Sequence, residues 1–228
     1  MIMTLPVFKY SIMCTHFVLV NKAGSVTRAQ QLGVDPRALL FGAFQPGSRI
    51  GVIHQAEDRR CCTPAIWWLF LQQTAQGLKP HPRYFSVNTN YAKLPQRPEF
   101  RKTRCIILAS QFCESQAGRR PHLLEAADGS VMAFGGLYKR WIDQKTGVET
   151  YSASIITLKG HPALAAIHRK STPLWLAEQD FDAWLDPKTD TRCFDAVMEP
   201  TLQTTLRATP IDQTTKRNPV GASFMIEP

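Results

Sequence analysis

The run SIMCTHFVLV, residues 11–20, sets Cys14 at the entrance to an alternating apolar stretch. A cysteine that is the first residue of a mature chain carries a thiol and a free α-amine together, and that pair has chemistry neither group has alone. In front of it lies MIMTLPVFKYSIM, with Pro6 in its apolar part, Lys9 after it and no small-residue cleavage signature, so it does not read as a secretory signal. While Met13 stays attached, the Cys14 nitrogen is an amide and not a nucleophile. Either Met13 is the true first residue, easily removed before a small residue, or the leader is cut by the protein's own site. The sequence is therefore divided into a leader, 1–12, which a misassigned start would explain, and one domain, 13–228.

Conventional motifs are absent. There is no P-loop, G-x-S-x-G, H-E-x-x-H or C-x-x-C, and FGGLYKR lacks the spacing of a dinucleotide loop. Cys61 and Cys62 are adjacent and Pro64 follows, a poor geometry for two ligands on one metal, so neither metal nor cofactor is expected. What remains is a dispersed set: Cys14, Asn88 in FSVNTNYAK, Glu114 at the end of RCIILASQFCES, and His168 in LAAIHRKSTPLWL. Each has a plainer reading. The cysteine could be a small buried hydrophobe, the asparagine a turn cap, the glutamate a strand-end surface charge, and the histidine a satisfied ring after a short helix.

The elements that must position these residues are mostly strands. THFVLV, RIGVIH, AIWWLFL, RYFSVN, RCIILASQF, HLLEA, VMAF and YSASIITL are short apolar runs, most of them bounded by Gly, Pro, Asn or Asp. EAADGSVMAF and WIDQKTGVETYSASI read as β-hairpins. Helical periodicity is confined to HPALAAIH, AEQDFDAWLD and DTRCFDAVM. The expected fold class is α+β, mainly β: a bent antiparallel sheet or open barrel with peripheral helices. Trp67 and Trp68 on one strand point to opposite faces, one toward the core and the other free to stack on a base.

With 27 Lys+Arg against 18 Asp+Glu, the chain carries +9 at pH 7, which favours a polyanionic partner. Even PAIWWLFLQQT turns polar at Gln72, too short for a membrane span. Six cysteines in a chain of this size, without a secretory signal, read as free thiols in a reducing cytoplasm.

The order and surroundings of the dispersed set resemble the SOS response-associated peptidase (SRAP) family. Its members begin Met-Cys-Gly-Arg-Phe, then carry Asn-Ala-Arg, Cys-Leu-Ile-Pro-Ala-x-Gly-Phe-Tyr-Glu-Trp and Ile-His-x-Arg-Met-Pro. This chain has MCTHF, VNTNYAK, CIILASQFCES and IHRKSTP in that order, with AIWWLFL and FGGLYKRW where the family has its Trp-Gly-Leu-Ile-Pro and Ala-Gly-Leu-Trp-Glu strands. It departs from the pattern at His16 and Asn90, where the family has arginines, and in QFCES, where the family has Gly-Phe-Tyr-Glu-Trp. The resemblance covers nearly everything from Met13 onward. It implies the SRAP fold, a bacterial or phage-like setting, and covalent capture of abasic sites in single-stranded DNA by the mature N-terminal cysteine, with possible lyase or self-peptidase activity.

On that resemblance Cys14 is the nucleophile, Glu114 and His168 carry protons, and Asn88 holds the amine or the sugar. The expected DNA contacts are Trp67 or Trp68, Asn90, Arg83, Lys93, Arg104 and Arg169, with Arg101, Lys102 and Lys170 close by. The rival readings are a cysteine hydrolase of peptides using the Cys14 thiolate with His168 and Glu114, and a relative that binds nucleic acid without catalysis.

Overall fold

The computed structural model describes residues 15–116 and 118–228. In chain order the strands are β1 (His16–Leu19), β2 (Gly42–Phe44), β3 (Arg49–Ala56), β4 (Arg59–Trp67), β5 (Leu71–Thr74), β6 (Gly77–Pro80), β7 (Asn88–Asn90) and β8 (Arg104–Ala109). They continue as β9 (Gln111–Glu114), β10 (His122–Ala126), β11 (Met132–Ile142), β12 (Glu149–Lys159), β13 (Ser171–Pro173), β14 (Leu206–Pro210) and β15 (Phe224–Ile226). Helices α1 (Ala23–Gln31), α2 (Pro98–Lys102) and α3 (Phe181–Leu185) lie between them.

The α+β, mainly β class stands. Strands β11, β8, β3, β4 and β12 follow one another and the pairing of β11 with β12 closes them into a five-stranded barrel, where the sequence suggested an open one. Most pairings are antiparallel, but β12 pairs in parallel with β4 and with β7. Its eleven residues reach past the barrel rim. Beyond the rim β12 takes β13 on one part of its length and β7 on another, so the segments carrying Asn88 and following His168 flank the same strand. A second sheet runs β15-β14-β10-β9-β1-β2.

The run RCIILASQF feeds both sheets. It breaks at Ser110, whose backbone N–H donates to the Val18 carbonyl and whose hydroxyl receives the Val20 N–H. β8 is thus in the barrel and β9 in the second sheet, with Glu114 at its end. The hairpin expected across Asp128-Gly129 is a sheet-to-sheet crossing instead. The turn forms, with Gly129 at φ +74, but β10 is already flanked by β9 and β14 while β11 takes β8 and β12. The Lys-Thr-Gly hairpin joins β11 to β12 as expected.

Helix α1 has no counterpart in the sequence expectations. It ends on Gly33 in a left-handed conformation, and the Val34 N–H reaches back to the Ala29 carbonyl, a C-terminal closure that glycine favours. AEQDFDAWLD forms a 3-10 turn and then α3, with Phe181, Trp184 and Leu185 all buried. HPALAAIH and DTRCFDAVM are 3-10 turns only. Among the described residues the five cysteines are free thiols, and no helix is long and apolar enough to cross a membrane.

Candidate functional site

Glu114 and His168, far apart in sequence, meet where the two sheets adjoin. The β1–β9 register sets His16 opposite Cys113, so the chain enters β1 beside the strand end that bears Glu114. His168 comes from the loop between a 3-10 turn at Pro162–Leu164 and β13. That loop folds tightly against Gly160, where a Cβ would collide with the Arg169 carbonyl. Both side chains are enclosed, His168 at 1% and Glu114 at 2% of their exposed area.

The imidazole is held at both ring nitrogens. Nδ1 lies 2.7 Å from the Ser115 carbonyl oxygen, which only accepts, so Nδ1 carries the hydrogen. Nε2 then accepts from the Ser171 hydroxyl at 3.2 Å. Burial holds the His168 pKa below the usual histidine value; the Ser115 carbonyl raises it and Lys170 lowers it further. The ring is therefore neutral near pH 7, with Glu114 Oε2 3.8 Å from Nδ1, in contact but outside hydrogen-bond range. A neutral imidazole beside an enclosed carboxylate is a proton acceptor placed next to a second titratable group, the arrangement acid–base chemistry uses. Cys14 lies outside the described residues.

A second group of expected residues converges on an open cavity of about 420 Å³ lined by Arg83, Asn88, Asn90 and Lys93. Among the lining residues the sequence reading did not assign are Tyr84, 56% exposed, Phe85, 38% exposed, and Arg97, whose guanidinium carbon lies 4.8 Å from the Phe70 ring centre. In RYFSVN the sequence singles out Arg83 and Asn88 but gives the two aromatics between them only as part of an apolar strand. The signal it held was an arginine next to two aromatics that a central strand would have buried, and in fact only Asn88–Asn90 pair as strand. Asn90 Oδ1 receives the Ala92 N–H at 2.9 Å and caps the following 3-10 turn, which ties it to the cavity wall.

Three expected contacts are corrected. Trp67 is fully buried, its indole N–H donating to the Val87 carbonyl at 2.9 Å. Trp68 is only 5% exposed, so neither tryptophan presents a stacking face; Phe85, edge-on to Trp68 at 5.1 Å, is the exposed ring. Arg104 is 3% exposed and donates to the carbonyls of Trp184, Phe100 and Asp186, which leaves its guanidinium inside the fold rather than on a DNA surface. Arg169 is exposed, next to His168.

Among the described residues no cluster of His, Cys, Asp and Glu could hold a metal ion. Cys113, at the strand position before Glu114, is buried and its thiol is pushed up to about 12, chiefly by burial, so it is not a thiolate.

A model of the family described as SOS response associated peptidase (SRAP) matches residues 13–217. No curated protein matches the chain. Among solved structures, the chain is similar to a protein from Bacteroides thetaiotaomicron, with TM-score 0.70 and 19% identity, over 87% of this chain and 92% of that one. It is similar also to a protein from Bordetella bronchiseptica, with TM-score 0.71 and 17% identity over 88% and 100% of the two chains. A phage-related protein of the same organism aligns with TM-score 0.64 and 16% identity over 91% and 100%. At these identities the likeness is one of fold.

Proposed function

The chain belongs to the SOS response associated peptidase family, and from that premise we propose that it captures abasic sites in single-stranded DNA as a covalent adduct on Cys14. The observation that supports this most is the convergence of Glu114 and the neutral His168 at the sheet end where β1 begins.

An abasic deoxyribose opens to an aldehyde. The uncharged α-amine of Cys14 adds to its carbon, water leaves to give an imine, and the thiol sulfur adds to the same carbon while its proton passes to nitrogen, closing a five-membered thiazolidine. An α-amine titrates near 7.7–8.0 in peptides, so about a tenth or more is uncharged at neutral pH. His168 Nε2 takes up the sugar hydroxyl proton during ring opening by way of the Ser171 hydroxyl it already holds. Glu114 takes the proton the amine sheds and returns it to the departing hydroxyl. Asn88 holds the sugar from the cavity side, and the exposed Tyr84 and Phe85 with Arg83, Lys93 and Arg97 carry the strand, rings for bases and cations for phosphates. The same acid–base pair acting through water on the Met13–Cys14 amide would free the amine.

A chain starting at Met13, with that methionine removed, should give a denaturation-resistant band with an abasic single-stranded oligonucleotide, and Cys14→Ala should give none. Equal yields from the two proteins would overturn the assignment.

A further inference from the structure

At the start of β1 a separate cavity of about 250 Å³ is lined by His16, Gln45, Ser48, Thr215 and Arg217. Its polar lining is a guanidinium, an imidazole, two hydroxyls and an amide, with no carboxylate among the described residues. Such a set donates to an anion and has no countercharge of its own.

Arg217 is held in place with unusual care. It sits at φ +61, one of two non-glycine residues in the left-handed region among the described residues, a conformation that a Cβ disfavours and that persists where the surroundings over-determine it. The surroundings here are a closed loop. Asp212 and Asn218 clamp its base: the Asn218 N–H donates to Asp212 Oδ1 at 3.0 Å, its side-chain amide to Oδ2 at 2.9 Å, and the Asp212 N–H to the Asn218 carbonyl at 3.0 Å. Within the loop the Arg217 N–H donates to the Gln213 carbonyl at 2.8 Å, and Nη1 to the Thr214 carbonyl at 3.1 Å. One guanidinium nitrogen is thus tethered while the side chain faces the cavity. His16 shares that space, and its pKa is lowered by burial and then by the Arg217 charge, which keeps the ring neutral beside the guanidinium.

The cavity also lies at a telling place. His16 is opposite Cys113, whose neighbour is Glu114, so the cavity and the acid–imidazole pair share the same strand ends, on alternate faces of the sheet.

We propose that this cavity seats a backbone phosphate of the DNA strand beside the reacting sugar, with Arg217 as its fixed cation and Ser48 and His16 as further donors. The inference rests on the reading of the chain as an abasic-site binder. Guanidinium and hydroxyl donors converging from two loops suit a tetrahedral anion.

The test measures noncovalent binding of the Cys14→Ala protein to abasic single-stranded oligonucleotides against salt. In one set each linkage flanking the lesion is replaced singly by an uncharged methylphosphonate. Arg217→Gln should weaken binding about tenfold, as loss of a charged hydrogen bond would, and lower the salt slope by about 0.7, the share of one phosphate. One neutral linkage should cost the Arg217-bearing protein as much and cost Arg217→Gln nothing more, while Arg217→Lys should restore most of the slope. Equal melting temperatures of the variants keep folding out of the comparison. An unchanged slope in Arg217→Gln, or a neutral linkage equally costly in both proteins, overturns the proposal. Competition by inorganic phosphate that needs Arg217 while every neutral linkage is harmless assigns the cavity to a free anion and overturns it too. The adduct assay with Cys14 intact separates the two readings. An Arg217-dependent slope without any adduct sinks abasic capture and leaves the phosphate seat, whereas an adduct with an Arg217-independent slope does the reverse.

Discussion

Arg104 and Arg97 each lay a guanidinium over an aromatic ring, 4.9 Å from the Phe194 centre and 4.8 Å from that of Phe70, yet they belong to different kinds of surface. Around Arg104 the rings of Trp184, Phe194 and Phe100 are buried, and its donors are consumed by backbone carbonyls that end α2 and α3. Around Arg97 the cavity is open, Tyr84 is exposed, and Nε has no acceptor among the described residues. Residue types and ring distances are nearly the same. What differs is whether the donors are already satisfied within the fold, and that difference separates a cation that holds helices to the barrel from one left at the wall of an open cavity.

The largest effect that tests this contrast is on stability. Arg104→Ala strips donors from several enclosed carbonyls, each worth about 1–3 kcal/mol when left unmet, and should lower unfolding free energy by on the order of 4 kcal/mol in urea titration. A variant that stays stable but loses DNA affinity would put Arg104 on the binding side and break the comparison. The next effect lies on the other side. Tyr84→Ala should leave stability within about 0.5 kcal/mol while weakening single-stranded DNA binding by about 1–3 kcal/mol, the loss of one stacked base. Unchanged affinity would mean that the exposed rings are not a base platform.

The smallest effect concerns pH and belongs wholly to the enclosed side. His54 and His168 are buried, with pKa values held below the usual value mainly by desolvation. For such groups the unfolded chain takes up protons first. Stability is full above about pH 6.5, the ordinary histidine value, and is lost as pH falls through the lower folded-state values. The urea midpoint should drop over that acidic window, and His54→Gln should flatten the decline. A midpoint that rises on acidification would show that these rings gain, rather than lose, by protonation in the fold.

Much of the local architecture was legible in the residues. Strand runs, the Lys-Thr-Gly hairpin and the amphipathic Phe181–Leu185 turn follow from short-range pattern, because alternation and turn chemistry act between near neighbours. The helix at Ala23–Gln31 was missed: its mix of Gly, Ser, Thr and Gln has little apolar periodicity, and its ending at Gly33 is a conformational cue rather than a hydropathic one. Glu114 and His168 could be singled out in order along the chain, and Arg83, Asn88 and Lys93 likewise, but nothing local says that the first two share an enclosed corner and the others an open cavity.

The amino-acid sequence by itself determined the β-rich class, the positive charge, and which side chains are able to carry protons or accept an anion, since those are properties of single residues and their neighbours. Only the tertiary structure decided that Trp67, Trp68 and Arg104 are interior, that Tyr84 and Phe85 are exposed at the open cavity, and that Arg217 faces His16 across another. Burial and convergence depend on which strands pair and where a run such as RCIILASQF leaves one sheet for another. Those choices are made by long-range packing and by the demand that every enclosed N–H and C=O find a partner, not by the period of any one segment.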